Sequence, residues 1–316
     1  MEKKSPAPRN RTIILSNEDE IKYKKKLLTI RNEAEIAAII NRTIHGDSLK
    51  VLPLLPSECV DLIFTDPPYN LSKKFNKSTF SARSDEAYRI YLESWVPQLQ
   101  RILKPTGTLY ICGDWRCSNV IKEVGQKYFQ VKNRITWERE KGRGSKTNFK
   151  STSEDIWFFT KSSSYTFNLN DVKIVKKVIA PYKDKEGKPK DWVKTKEGNF
   201  RLTHPSNIWT DLTVPFWSMP ENTDHPTQKP EKLIARAILA SSNENDVIFD
   251  PFLGSGTTSV VAKKLNRQFF GIELDQYYSC IIEKRLNMAN KNIQIQGIDN
   301  GKFYERNNPI KKTKNK

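Results

Sequence analysis

The last third of the chain alternates apolar runs with turns and helical patterns, and this alternation constrains the fold more than any other feature. An apolar run at 247–250 leads into the turn FLGSG, a helical stretch, a second apolar run ending at Glu273 and another helical pattern. Strands that alternate with helices pair in parallel, because each helix returns the chain to the starting edge of the sheet. The sequence therefore predicts an α/β fold with a doubly wound, mostly parallel sheet and helices on both faces.

The turn at 252–256 has the features of a nucleoside-binding turn. Gly254 and Gly256 lack a Cβ, so a ligand can approach the backbone closely, and the free N–H groups of the following helix start attract polar groups. Glu273 lies at the end of the next strand, where an acid suits the hydroxyls of a ribose. Neither GxGxxG nor Gly-Lys-Ser/Thr follows, which favours an adenosine cofactor without phosphates, such as S-adenosylmethionine. The alternative is a tight turn without a ligand.

A second constrained segment, Asp66-Pro-Pro-Tyr69, directly follows the apolar run LIFT. Each proline ring holds φ near about −65°, and the residue before a proline is pushed into extended geometry. We therefore expect Asp66 and Tyr69 on a stiff hook at the end of a strand. The alternative is a strand-ending turn with a capping aspartate.

The chain is strongly basic, with a formal net charge of +18 over 316 residues. This excess indicates a polyanionic partner, although charge alone does not distinguish DNA, RNA and a membrane surface. No window approaches the ~18 apolar residues of a membrane span, and the N-terminus lacks a secretory apolar region. The four cysteines and three histidines show no zinc-type spacing. We expect reduced thiols, a cytoplasmic location, no metal and no membrane partner.

Three blocks together resemble the amino-methylating DNA methyltransferases: DPPY at 66–69, HPTQKP at 225–230 and DPFLGSGTT at 250–258. The DPPY block comes first and the glycine block last, and this circularly permuted order is similar to that of the β group, most of whose members methylate N6 of adenine. The resemblance covers roughly residues 43–290. It implies a Rossmann-like sheet of the S-adenosylmethionine-dependent type with an inserted target-recognition module.

The resemblance also implies an organisation and partners. Double-stranded DNA is the expected substrate, with a cognate restriction endonuclease or a solitary role, and members of the group are often homodimers. We predict a basic N-terminal arm over 1–26 followed by a helix over 27–40, which is a candidate dimer contact, and one helix over 85–105. The predicted units are the arm and helix (1–42), the catalytic half (43–161), the target-recognition insertion outside the central sheet (162–220), the cofactor-binding half (221–292) and a basic tail (293–316).

Site residues follow from the matched motifs. The catalytic set is Asp66, Pro67, Pro68 and Tyr69. The expected S-adenosylmethionine set comprises Asp47, which meets the adenine, three residues near the methionine end (His225, Thr227 and Lys229), and the glycine block with its following strand (Asp250, Phe252, Gly254, Ser255, Gly256, Thr257 and Glu273). The resemblance suggests that Lys229 pairs with the carboxylate of the cofactor.

The chemistry explains the hook. The amino group of adenine is a weak nucleophile, because its lone pair is delocalised into the ring. The Asp66 carboxylate and the Pro67 carbonyl, both held in fixed positions, can accept hydrogen bonds from the two N–H groups of this amino group. Tyr69 can stack on the base. The base must leave the duplex to reach this site. Whether Asp66 also takes the proton stays open.

Other activities agree less well with the sequence. C5 methylation of cytosine needs a Pro-Cys nucleophile, which is absent. N4-cytosine enzymes usually carry Ser where Asp66 stands, and RNA guanine methyltransferases with DPPY place the glycine block first. A non-catalytic nucleic-acid binder is the rival from another class, and the intact hook and glycine turn argue against it.

Candidate DNA contacts lie in two places outside these motifs. One is the insertion, whose lysines and aromatic residues suit phosphate contact and base stacking. The other is the basic loop after residue 138. The named candidates are Arg143, Lys146 and Lys150 in the loop and Trp209, Phe216 and Trp217 in the insertion, with a place in the core as the alternative for the aromatic residues.

Overall fold

The computed structural model describes residues 8–75, 78–140, 146–178, 182–188, 190–195 and 198–307, and all structural statements refer to these ranges. The α-helices are α1 (Asn17–Lys24), α2 (Ile36–Ile39), α3 (Ser48–Val51), α4 (Asp85–Glu93), α5 (Val96–Ile102), α6 (Ser118–Tyr128), α7 (Glu231–Ser241), α8 (Thr257–Lys264) and α9 (Gln276–Ala289). The strands are β1 (Arg42–His45), β2 (Val60–Thr65), β3 (Lys73–Phe75), β4 (Ser78–Phe80), β5 (Leu103–Gly113), β6 (Gln130–Glu138), β7 (Ser153–Thr160), β8 (Ile174–Lys177), β9 (Val193–Thr195), β10 (Gly198–Thr203), β11 (Ile208–Trp209), β12 (Val247–Asp250), β13 (Gln268–Glu273), β14 (Ile298–Asp299) and β15 (Lys302–Tyr304).

The central sheet has the strand order β1-β13-β12-β2-β5-β7-β6-β11 in the described residues. β7 runs antiparallel to both of its neighbours, and every other neighbouring pair is parallel. Helices cover both faces of this sheet. Successive strand residues point to opposite sides, so Ile63 packs in one apolar cluster with α4 to α6 and Leu62 packs in the other with α7 to α9. The predicted doubly wound, mostly parallel α/β fold is confirmed.

The two predicted blocks meet at the centre of this sheet. β12 continues through α8 to β13 on one side, and β2 continues through α4 and α5 to β5 on the other, so the winding reverses between β12 and β2. Asp250 ends β12 and Asp66 directly follows β2. Such a switch point opens a crevice at the carboxyl ends of the strands, where ligands of doubly wound sheets bind.

The N-terminal predictions are largely wrong. The segment predicted as an arm contains α1, which begins with a capping box between Ser16 and Asp19 and is tied to α9 by an ion pair of 2.7 Å from Lys284 to Asp19. The segment predicted as a helix is helical only in α2. Leu28 instead exchanges backbone hydrogen bonds with Thr43 and His45 of the edge strand β1. This pairing satisfies the polar backbone groups of Leu28 without a helix.

The predicted helix over 85–105 is two helices followed by a strand. α4 ends at Glu93, and α5 begins at Val96 with Pro97 in its first turn, where the missing N–H leaves no helical bond unmade. Pro105 lies inside β5, so it does not close a helix. β5, β6 and β7 follow, and α6, which lies between the first two of them, was not predicted.

The insertion forms a sheet of its own and also reaches the central sheet. β8, β9 and β10 pair antiparallel, and β15 from the C-terminal segment adds to β8 in parallel. β11 lies beside β6 at the edge of the central sheet, so the prediction that the whole insertion avoids this sheet is wrong. The functional boundaries of the predicted units stay predictions.

Two features are absent from the described part of the chain. No helix there has the length and apolar character needed to span a membrane. No group of three or more His, Cys, Asp or Glu residues there is placed to hold a metal ion.

Candidate active site

A cavity of about 1080 Å³ opens at the switch point between β12 and β2. Its lining brings together the predicted catalytic and cofactor sets, which are far apart in the chain. Of the predicted site residues, the cavity is lined by Asp47, Asp66, Pro67, Pro68, Tyr69, His225, Thr227, Lys229, Asp250, Phe252, Gly254, Ser255, Thr257 and Glu273. Gly256 does not line it.

The glycine turn is fixed by the acid predicted to face a ribose. The Gly254 N–H donates to Glu273 Oε2 at 2.8 Å, and the Asp275 N–H donates to Oε1 at 2.8 Å. Burial raises the pKa of Glu273 to about 8. Gly254 has φ +54°, and a Cβ at this position would lie 2.9 Å from Cε1 of His225. Glycine is therefore required for the turn to pass beneath the His225 ring.

Asp250 and Asp47 shape the loops on either side of the turn. Asp250 accepts from the Phe252 N–H at 2.9 Å and from the Thr258 hydroxyl at 2.7 Å, and burial raises its pKa to about 7. Asp47 caps α3 by accepting from the Leu49 N–H at 3.0 Å. The next residue, Ser48, donates its hydroxyl to the Pro251 carbonyl, which joins the β1–α3 turn to the glycine turn.

Behind the turn, Arg285 of α9 holds the start of α8. Its guanidinium donates to the Ser255 carbonyl at 2.8 Å, to the Thr257 hydroxyl at 3.1 Å and to Glu231 at 3.0 Å. Gly256 has φ +76°, and a Cβ there would lie 2.6 Å from Ile282. Gly256 is thus required for packing against α9, which explains why it lies off the cavity surface.

The proline hook is held from both sides. The Tyr88 hydroxyl donates to the Pro68 carbonyl at 3.1 Å, and the Tyr69 hydroxyl donates to Glu154 Oε2 at 3.0 Å. Asp66 Oδ2 lies 2.5 Å from Lys229 Nζ. Asp66 Oδ1 is buried and accepts no hydrogen bond from any described residue. One carboxylate oxygen of the hook is therefore fixed, and the other is left unpaired at a residue that lines the cavity.

Glu154 and Arg139 belong to the site and were missed in the sequence. Glu154 lies 3.2 Å from Lys229 Nζ, and its other oxygen accepts from Arg139 at 2.8 Å. Burial raises the pKa of Glu154, but Lys229 and Arg139 outweigh it and hold that pKa below its usual value. The sequence feature that could have pointed to Glu154 was an acidic residue close to the apolar run IWFF.

His225 and Thr227 also line the cavity. The His225 ring packs edge-on against Tyr278, with ring centroids 4.6 Å apart, and the Thr227 N–H donates to His225 Nδ1 at 3.4 Å. The ring therefore has a fixed position above Gly254.

The predicted DNA contacts lie in different environments. Lys146 and Lys150 are exposed, whereas Arg143 lies outside the described residues. Trp209 is buried against Arg236, which assigns it to the core, and Trp217 is half exposed. The cavity wall adds Trp115, which is 59% exposed and was not predicted.

Residues 60–284 match the family described as DNA methylase, N6_N4_Mtase. The chain belongs to this family.

Curated relatives of this DNA methyltransferase cover most of its length. It is 34% identical over 251 residues to the type II methyltransferase M.HpaI of Haemophilus parainfluenzae, covering 78% of this chain and 74% of the relative. It is 35% identical over 253 residues to the DNA adenine methyltransferase YhdJ of Escherichia coli, covering 78% and 82%.

Solved structures share the fold of this methyltransferase. The PvuII DNA methyltransferase, described as cytosine-N4-specific, has a TM-score of 0.56 at 19% identity and covers 90% of this chain and 98% of its own. TTHA0409 of Thermus thermophilus, complexed with S-adenosylmethionine, has a TM-score of 0.54 at 21% identity and covers 86% and 99%.

S-adenosylmethionine is the cofactor of this family, and the cavity suits it. Gly254, Glu273 and Asp47 all line it. Asp66 lines the same cavity, and its carboxylate suits a hydrogen-bond donor on the second reactant.

Proposed function

We propose that this DNA methyltransferase modifies N6 of an adenine flipped out of duplex DNA. The observation that carries the proposal is that Asp66, whose carboxylate belongs to the hook after β2, lines the cavity that also contains the glycine turn. An ionised carboxylate accepts a hydrogen bond from an amino group more strongly than a serine hydroxyl does. The name of the adenine methyltransferase YhdJ supports the same base.

The hook supplies acceptors for the amino group. The Asp66 carboxylate would accept a hydrogen bond from one N–H group and the Pro67 carbonyl from the other, which would localise the nitrogen lone pair, while Tyr69 would stack on the base. S-adenosylmethionine, when bound, would supply the methyl group and leave as S-adenosylhomocysteine with a neutral thioether. The methylated amino nitrogen would release one proton, which gives a neutral product.

The cofactor set is proposed for the same cavity. Asp47, Phe252 and Glu273 would contact the adenosine part, and Gly254 would allow its close approach. His225 and Thr227 would lie beside the methionine part. Asp250, Ser255, Gly256 and Thr257 would act by holding the turn, because their polar groups or their packing are engaged within it.

The proposed partner is double-stranded DNA, with the insertion as reader of the target. The rim residues Trp115 and Arg116 extend the contact, since they stand beside the hook and offer an exposed ring and a cation. The type II relatives support a role beside a restriction endonuclease.

The test is methylation of unmethylated genomic DNA with tritium-methyl S-adenosylmethionine, followed by digestion and chromatography of the nucleosides. We expect label in N6-methyl-2′-deoxyadenosine. Label in N4-methyl-2′-deoxycytidine would contradict the adenine assignment. The Asp66→Ala protein, purified identically, controls for contaminating methyltransferases.

A further inference from the structure

We propose that Lys229, braced by Glu154, positions Asp66 in its ionised form and does not bind the carboxylate of the cofactor. This inference rests on the proposed function, because it concerns how the catalytic hook is held ready.

The contacts of the Lys229 ammonium carry the inference. It lies 2.5 Å from Asp66 and 3.2 Å from Glu154, and its side chain is only 6% exposed. It also lies 5.3 Å from the centre of the Tyr69 ring. The ammonium is thus enclosed by the hook and by β7.

The backbone around Lys229 is held as firmly as its side chain. Its carbonyl accepts from the Thr257 hydroxyl at 3.2 Å, and the preceding Gln228 donates to the Glu221 carbonyl at 2.7 Å. The Lys229 backbone is thus bonded to the start of α8 and its side chain reaches the hook, which links the cofactor block to the catalytic block.

Charge balance explains why this ammonium stays in place. Glu154 and Asp66, whose side chains are 6% and 18% exposed, are paired with two cations, Lys229 and Arg139. If Lys229 turned to a carboxylate of the cofactor, one of these acids would lose its counter-charge, and an unpaired charge with little solvent exposure is unfavourable.

The pairing leaves the two Asp66 oxygens in different surroundings. Lys229 holds Oδ2, whereas Oδ1 is buried and accepts no hydrogen bond from the described residues. Burial raises the pKa of Asp66 and Lys229 opposes that rise, while Glu154 adds to it. The titratable groups that influence Asp66 are Lys229, Glu154, Tyr69, Cys112 and Asp250.

The experiment compares Lys229→Met, Lys229→Arg and Glu154→Gln in the full chain. Single-turnover methylation is measured from about pH 5 to 9, a range that includes the ionisation of a buried carboxyl. Removing the cation should lower the rate about 100-fold at neutral pH. It should also move the acid limb of the profile up by about one pH unit, because an opposite charge no longer favours the ionised Asp66. Lys229→Arg should restore part of both.

Glu154→Gln provides a test in the opposite direction. Loss of a neighbouring negative charge should move the acid limb down. A merely structural role for either residue would not shift the two limbs in opposite senses. Equal shifts, or a loss of rate with no shift, would overturn the inference.

Cofactor binding separates the two roles of Lys229. The Kd of S-adenosylmethionine and of methylthioadenosine, which lacks the amino-acid carboxylate, is measured for each protein by calorimetry. We expect both constants to be unchanged in Lys229→Met. A loss of about tenfold for S-adenosylmethionine alone would instead identify Lys229 as the carboxylate ligand.

Controls keep the outcomes distinct. Lys127→Met removes an exposed lysine paired with Glu93 and should change neither measurement. Thermal unfolding reports whether each variant is folded. If Lys229→Met is unfolded, Lys229→Arg, which retains the charge, is compared with the unmodified chain instead. Absence of N6-methyladenine with the unmodified chain would refute the proposed function, whereas failure of the inference leaves that product intact.

Discussion

The two oxygens of Asp66 have different surroundings, and this difference predicts the effect of replacing the residue. Asp66→Ala should reduce methyl transfer by at least about 10²-fold, because the acceptor for the amino group is lost. Binding of S-adenosylmethionine should persist, since the glycine turn does not depend on this carboxylate for any hydrogen bond. Radiolabel transfer and calorimetry measure the two effects. Normal turnover would contradict the role assigned to Asp66.

Gly256 is expected to be important for stability. Gly256→Ala places a Cβ 2.6 Å from Ile282 in a left-handed backbone, so overpacking of about 1–3 kcal/mol adds to the backbone strain. Gly187→Ala is the matched control, because Gly187 has φ +80° and open space around it. Thermal unfolding should show a much lower Tm for the first variant. Equal losses would exclude the contact with Ile282 as the cause.

The buried carboxyl group of Glu221 should make the stability of the protein depend on pH. Burial, with the nearby charge of Glu231, raises its pKa to about 8. Between about 4.3, the value in an unfolded chain, and about 8 the folded protein holds one more proton, so the free energy of unfolding falls as pH rises through this window. Glu221→Gln should lessen the fall of Tm between about pH 5.5 and 8. An identical pH dependence in the variant would exclude Glu221 as a cause.

At the same scale, the sequence reveals some site residues and conceals others. Asp66, Gly254 and Glu273 stand in local patterns whose geometry the chain itself dictates, and the structure places them around one cavity. Glu154 acquires its place only through the sheet order, in which β7 lies beyond β5 from the hook. No local sequence pattern around Glu154 indicates that it lies near the hook.

Elements were predictable where local pattern and tertiary packing agree. The alternation from β12 to α9 satisfies both, and it is confirmed. Residues 27–40 have helical spacing, but pairing beside β1 and burial against the core prevail over it. β11 is only two residues long, too short for any period to be visible.

The C-terminal strands are expected to stabilise the insertion. Phe303 of β15 is fully buried with Val172, Ile174 and Ala240, so Phe303→Ala should destabilise this sheet by about 3–5 kcal/mol. The Kd for DNA should rise while that for S-adenosylmethionine is unchanged, because the cofactor cavity lies elsewhere. Val193→Ala, at an exposed position of β9, is the control. Unchanged DNA binding in a destabilised variant would separate this sheet from target recognition.

For the whole molecule, the charge of +18 predicts a salt-sensitive complex with DNA. Each phosphate contact releases condensed counterions, so the logarithm of the association constant should fall linearly with the logarithm of salt concentration, by about 0.9 per contact. Titrations at several potassium chloride concentrations measure the slope, with S-adenosylmethionine binding as the reference. A flat response would contradict a phosphate-dominated interface.

The pairing of Leu28 with β1 also affects how copies of the chain can associate. An open sheet edge offers unpaired backbone groups to another molecule and invites aggregation. Here the backbone of Leu28 occupies part of one edge, and the other edge consists of the two-residue strand β11. Neither end of the central sheet thus offers a long free strand within the described residues. Association between copies by continuous strand addition to the central sheet is therefore disfavoured.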